Sequence, residues 1–117
     1  MSIKSFAAQL FAKHIHKKTQ AWANNPVETQ RNVFQELIHQ AKDTVFGKDH
    51  NFSEIKTFED FAKQVPIRDY EELRPYVDRM VKGEENILWK GKPIYFAKTS
   101  GTTSGAKYIP LTKESMP

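Results

Sequence analysis

Residues 93–112 read Pro-Ile-Tyr-Phe-Ala-Lys-Thr-Ser-Gly-Thr-Thr-Ser-Gly-Ala-Lys-Tyr-Ile-Pro-Leu-Thr, and this stretch constrains the fold more than any other. Pro93–Ala97 and Tyr108–Thr112 carry the aromatic and β-branched side chains that suit a pleated surface. Between them Lys98–Lys107 is polar and holds Gly101 and Gly105. The pattern is strand, glycine-rich loop, strand. Two strands alone are marginal. Thr112-Lys113-Glu114-Ser115 reads as the cap and first turn of another helix just before Pro117. The expectation is therefore that residues 1–117 are a fragment, the N-terminal portion of one larger domain.

The same loop has the chemistry of an anion cradle. Glycines let backbone N–H groups approach an anion, hydroxyls donate to its oxygens, and a lysine adds positive charge. Gly101 and Gly105 supply the turn, Thr99, Ser100, Thr102, Thr103 and Ser104 the hydroxyls, and Lys107 the charge. No carboxylate lies between Glu85 and Glu114, so the local field favours a polyphosphate. The P-loop NTPase pattern does not fit, because it needs four residues between its glycines and a lysine directly after the second. Here Ala106 intervenes and Tyr108 follows the lysine. The dinucleotide fingerprint fails too, since a G-x-G-x-x-G run and a following helix are both missing.

Upstream the chain reads as helical. Ile3, Phe6, Ala7, Leu10, Phe11, Ile15 and Trp22 recur at the three- and four-residue spacing of an apolar helix face over residues 3–23. Asn25-Pro26-Val27-Glu28 restarts the helix, with Asn25 as cap, Pro26 at the first helical position and Glu28 in the first turn. The second helix carries Phe34, Leu37, Ile38, Ala41 and Val45, and Gly47 is expected to stop it in a left-handed conformation. A short link between the two predicts an antiparallel pair within 1–50. Residues 51–92 read as short helices. Thr57 with Asp60 and Asp69 with Glu72 have capping-box spacing, Phe58, Phe61 and Ala62 should face inward, Pro66 and Gly83 close segments, and Pro75 should interrupt the last. The fold class is α+β: a helix pair, short helices, then a β-hairpin over 93–112 bearing the loop.

Composition narrows the remaining classes. The chain has 38% hydrophobic and 12% aromatic residues, which argues against wholesale disorder. There are no cysteines, so thiolate catalysis and cysteine-based metal sites are excluded, and a cytoplasmic location is expected. No apolar run is long enough to span a bilayer. The net charge of +4 is concentrated early, with Lys4, Lys13, Lys17 and Lys18 ahead of the first acidic residue, Glu28. A secretory signal does not fit, since Gln9 interrupts a short apolar segment that runs into Lys13. An organelle-targeting segment would normally carry arginine, which this stretch lacks; a surface helix with a solvated basic face is preferred. His14 and His16 point to different sides of a helix and His39 and His50 stand alone, so no metal site is read. Trp89 and Tyr95 are read as packing residues in preference to pocket lining.

The loop resembles the signature loop of the adenylate-forming superfamily, which usually reads T-S-G-T-T-G-x-P-K. Thr99, Ser100, Gly101, Thr102, Thr103 and Lys107 match it without gaps, while Ser104 and Ala106 depart and the second glycine sits at 105. These departures resemble one branch, the plant auxin-responsive acyl-acid amido synthetases and their bacterial relatives. That family's loop continues with a lysine, an aromatic or apolar pair and proline, here Lys107-Tyr108-Ile109-Pro110. Val65-Pro66, Tyr70-Glu71, Pro75-Tyr76-Val77, Arg79-Met80 and Gly83 follow in the family's order, so the likeness covers about 27–115. The loop is one residue shorter before its lysine than the common plant form.

The resemblance implies a larger α/β adenylate-forming domain and an ATP- and Mg2+-dependent ligase. A carboxylate would attack ATP to give an acyl-adenylate and pyrophosphate, and an amine or amino acid would then displace AMP. Ser100, Gly101, Thr102 and Thr103 would hold phosphate oxygens, with Thr99, Ser104 and Gly105 completing the loop and Lys107 neutralising charge. No residue is read as a general base or nucleophile, and the fragment by itself is expected to be inactive. Partners would be small molecules, with neither nucleic acid nor membrane. Two other classes stay open: a basic helical nucleic-acid-binding module, which lacks interleaved aromatics and a motif, and a protein-interaction module whose exposed apolar helix faces self-associate.

Overall fold

The structure, a computed structural model, describes residues 2–100 and 105–117. It divides into two compact units, one up to Phe34 and one from Gln35 to Pro117.

In the first unit Ser2 caps α1 (Ile3–Asn24) by accepting the Ser5 N–H at 3.2 Å. Helix α2 (Pro26–Ala41) begins after one intervening residue, Asn25. Pro26 takes the first helical position as expected. Asn25 serves α1: its N–H meets the Trp22 carbonyl and its side-chain amide the Ala21 carbonyl. The burial expected of an antiparallel pair is not there. Every residue of α1 is exposed, Phe6 at 58% and Trp22 at 53%. Helix hairpins use loops of about 2–5 residues, and a single asparagine supplies less.

The second unit has a core of Ile38, Ala41, Phe52, Ile55, Val77, Met80 and Ile87. Helix α2 delivers Ile38 and Ala41, then stops at Ala41 without a glycine cap. Thr44 caps the short helix α3 (Val45–Asp49) through the Gly47 N–H at 3.0 Å. Gly47 therefore sits inside a helix and does not end one. Its role is close approach, because a Cβ there would lie 2.1 Å from the Ala41 carbonyl oxygen.

A 3-10 turn at Phe52–Glu54 leads to α4 (Phe58–Gln64), whose capping box pairs the Thr57 side chain with the Asp60 N–H and the Asp60 carboxylate with the Thr57 N–H. Of its three expected inward residues only Phe61 is half-buried; Phe58 is 68% exposed and Ala62 also faces out. Helix α5 (Tyr70–Val81) starts at the second predicted capping box, Asp69 with Glu72, both bonds 3.0 Å. It runs through Pro75 without a break. Proline removes one i to i−4 bond, and burial of Val77 and Met80 beyond it holds the helix together. Gly83 (φ +92°) ends α5: its N–H meets the Met80 carbonyl and that of Glu84 meets the Arg79 carbonyl, a Schellman closure.

The segment 84–92 folds back on α3. Val45 N–H bonds the Asn86 carbonyl at 2.8 Å and Phe46 N–H the Ile87 carbonyl at 3.0 Å. Helix N-termini leave such donors unsatisfied, and here the loop meets them while burying Ile87 to 1% exposure. The hairpin follows, β1 (Tyr95–Thr99) antiparallel to β2 (Lys107–Leu111), with Tyr95 opposite Leu111 and Thr99 opposite Lys107. The strand–loop–strand order is as expected, but the bounds differ: Lys98, Thr99 and Lys107, expected in the loop, lie in the strands, while Pro93, Ile94 and Thr112 do not.

Candidate functional site

The hairpin's loop end is built from short-range and long-range pieces. Thr99 and Lys107 are Cα partners, the last pair before the loop, so their side chains leave the same face of the ribbon. Lys98 pairs with Tyr108 on the opposite face. Ser100 continues from Thr99 as an exposed residue, and Gly105 returns the chain with φ +77°, a left-handed conformation that suits glycine. Of the residues named from sequence, the structure thus brings Thr99, Ser100, Gly105 and Lys107 to one end of the hairpin. Gly101, Thr102, Thr103 and Ser104 lie outside the described residues.

Helix α5 braces this end from the side. The Tyr70 hydroxyl accepts the Tyr108 N–H at 2.8 Å and donates to the Tyr108 carbonyl at 3.3 Å. Because that N–H and carbonyl both point to Tyr70, the backbone of Tyr108 faces away from β1, and so does Pro110 two residues on. The missing proline donor therefore falls on the outer edge of β2, where a ladder with β1 does not need it. The Tyr70 ring lies under two cations, the Lys107 ammonium and the Arg74 guanidinium, each 5.6 Å from its centroid. Lys98 sits 5.9 Å over the Tyr108 ring. These distances are within the reach of cation–π attraction. Glu71 pairs with Arg74 at 2.7 Å, and the half-buried Lys107 has an aromatic contact and no carboxylate partner among the described residues.

Sequence reasoning named Thr99, Ser100, Gly105 and Lys107 at this end of the hairpin but did not single out the neighbouring Tyr70, Arg74 and Lys98. Tyr70 stands at the start of a helix 38 positions from Tyr108, and no periodicity encodes that distance. Trp89 is half-buried and lines a groove of about 360 Å³ with Leu37, Met80, Leu88 and Pro110, while Tyr95 is 59% exposed. Trp89 Nε1 is inaccessible to solvent and has no hydrogen-bond partner among the described residues. A second groove of about 420 Å³ runs between Ile38, Phe52 and Ile55.

His50 is buried against Phe46, with ring centroids 4.0 Å apart and Nδ1 2.7 Å from the Phe46 carbonyl oxygen. Among the described residues no group of three or more His, Asp or Glu side chains is placed to hold a metal ion. No helix among them is long and apolar enough to cross a membrane.

Comparison with known proteins places this arrangement in context. The model of the GH3 family N-terminal domain matches residues 15–117. Indole-3-acetic acid-amido synthetase GH3.15 of Arabidopsis thaliana is 43% identical over 94 residues, 79% of this chain and 16% of the relative. The 4-substituted benzoates-glutamate ligase GH3.12 of the same plant is 32% identical over 92 residues, 78% of this chain and 16% of its own. Indole-3-acetic acid-amido synthetase GH3.5, also from Arabidopsis, is 27% identical over 95 residues, 80% of this chain and 16% of the relative. The chain thus spans about one sixth of the length of the curated relatives it matches.

Proposed function

The chain belongs to the GH3 family, and on that premise we propose that it contributes the phosphate-binding loop of an ATP-dependent acyl-acid amido synthetase. The observation that carries this reading is the pairing of Thr99 with Lys107 at the mouth of a glycine-containing loop. Thr99 and Ser100 offer hydroxyl donors, Gly105 a left-handed turn, and Lys107 a cation. That donor set suits phosphate oxygens and offers no base. The relatives' names, amido synthetases and a benzoate–glutamate ligase, support a carboxylate and an amino acid as the two substrates.

In the proposed reaction a carboxylate oxygen forms a bond to the α-phosphorus of ATP as the bond from that phosphorus to the bridging oxygen breaks. Pyrophosphate leaves with the bonding pair. An amine nitrogen then attacks the acyl carbon, AMP departs with the carbon–oxygen pair, and the amine proton passes to solvent. The loop's work is positional and electrostatic: Ser100 with Gly101, Thr102 and Thr103 would hold phosphate oxygens, and Lys107 would offset charge as pyrophosphate forms. Mg2+ would arrive bound to the triphosphate.

The test is exchange of labelled pyrophosphate into ATP by the full-length protein that carries this chain, with indole-3-acetate and a 4-substituted benzoate among the acids supplied. Exchange should depend on the acid. Ser100→Ala with Thr102→Ala should lower it by about 100-fold, the scale of removing preorganised donors. Unchanged exchange in that double variant would remove the loop from the mechanism. The isolated chain should bind ATP weakly at most, since one loop makes few of the contacts a nucleotide site needs.

A further inference from the structure

We infer that Tyr70 is a positioning residue for Lys107, restraining the ammonium beside β2 while leaving its charge free for a phosphate; this rests on the loop reading above. Its hydroxyl fixes the backbone of Tyr108, the residue next to Lys107, through both the N–H at 2.8 Å and the carbonyl at 3.3 Å. Its ring meets the Lys107 ammonium at 5.6 Å. One side chain thus holds Lys107 at both ends, through the neighbouring backbone and at the charge.

The arrangement has a chemical logic. A lysine stem has several rotatable bonds, and a free ammonium beside a loop would sample many positions. A carboxylate partner would fix it but would cancel the charge that a phosphate requires. An aromatic face restrains a cation while leaving that charge in place. Arg74 approaches the same ring, also at 5.6 Å, and is paired with Glu71. Its positive charge disfavours a shift of Lys107 further along α5. Tyr70 in turn is placed by the Asp69–Glu72 capping box at the first position of α5.

The experiment uses the full-length protein carrying this chain, with MgATP as the varied substrate in pyrophosphate exchange. Tyr70→Leu should raise KM for ATP about tenfold, on the scale of a desolvated cation–π contact, with a smaller effect on KM for the acid. Lys107→Ala should do the same, and the two together should lose no more than twofold beyond Lys107→Ala alone. Tyr70→Phe, which keeps the ring, should restore most of the ATP affinity while speeding hydrogen exchange at the Tyr108 amide by at least tenfold. Multiplicative losses in the double variant would overturn the inference, because a merely structural tyrosine weakens the protein independently of Lys107. So would a Phe variant as impaired as the Leu variant. If Lys107→Ala and Ser100→Ala both leave ATP kinetics intact, the loop reading fails and this inference falls with it. If Lys107→Ala is impaired and Tyr70→Leu is not, only this inference falls.

Discussion

The Tyr70 hydroxyl holds both backbone groups of Tyr108, accepting its N–H and donating to its carbonyl across 38 positions of sequence. A helix start and a strand edge are thereby tied at one oxygen. Tyr70→Phe should destabilise the chain by about 1–2 kcal/mol, because a half-buried amide loses its acceptor. Urea unfolding monitored by circular dichroism measures this; an unchanged midpoint would mean that solvent replaces the hydroxyl freely.

The cap of α5 should matter to the same region. Asp69→Ala removes the acceptor for the Glu72 N–H and should cost about 1 kcal/mol. Because Tyr70 is the next residue, the variant should also accelerate exchange of the Tyr108 amide. Asp69→Asn, which keeps an acceptor oxygen, should restore protection there. Hydrogen exchange read by NMR distinguishes the two.

Gly47 admits no side chain. A methyl group would lie 2.1 Å from the Ala41 carbonyl oxygen and 2.9 Å from that of Lys42, both fixed backbone atoms. Gly47→Ala should therefore destabilise by about 3 kcal/mol, at the upper end of overpacking, although alanine is the better helix former. A thermal midpoint equal to that of the unaltered chain would refute this.

Asp60 predicts part of the acid response. Backbone N–H groups of Lys56 and Thr57 donate to its carboxylate and hold it below its ordinary value of 3.8. A carboxyl depressed in the folded state stabilises the fold above the unfolded value, and that contribution is lost as pH falls through the folded one. Stability should thus decline below about pH 4, and Asp60→Asn should flatten the decline while leaving its other limbs unchanged. Denaturant midpoints collected from pH 2 to 7 would show it; an identical acid limb in the variant would not be compatible with this origin.

Tyr76 predicts the alkaline counterpart. Burial, then its hydrogen bond to Asp49 at 2.8 Å, raises its phenol above 10.0. A group raised in the folded state stabilises the fold below the unfolded value and loses that contribution as pH climbs through the folded one. Tyr76→Phe should remove a raised component from an ultraviolet titration; an unchanged titration curve would overturn this assignment.

What the sequence made legible was local. The capping boxes at Thr57 and Asp69 need only a three-residue spacing, and both formed as read. The hairpin stems announced themselves by composition, although the ladder extends to the Thr99–Lys107 pair, which composition assigns to the loop. The features that escaped depend on distant chain. Gly47 looked like a helix terminator, but its smallness answers to the Ala41 carbonyl across a turn. Phe58 and the apolar stripe of α1 carry the signs of burial, yet no described residue covers them. Pro75 should have broken α5, and long-range burial of Val77 and Met80 outweighed one lost hydrogen bond. Tyr70 entered only as part of the family's Tyr70-Glu71 pair, with no sign of its contact with Tyr108. The family likeness located the loop, whereas the bracing of its lysine became visible only in three dimensions.

The proline at 110 gives the hairpin a handed capacity for growth. With Tyr108 already engaged and the next outward-facing position lacking a hydrogen to give, the flank of β2 is closed to a newcomer. Any additional strand has one berth, alongside Tyr95–Thr99, so the limb entering the loop is the one that a widened sheet would stiffen.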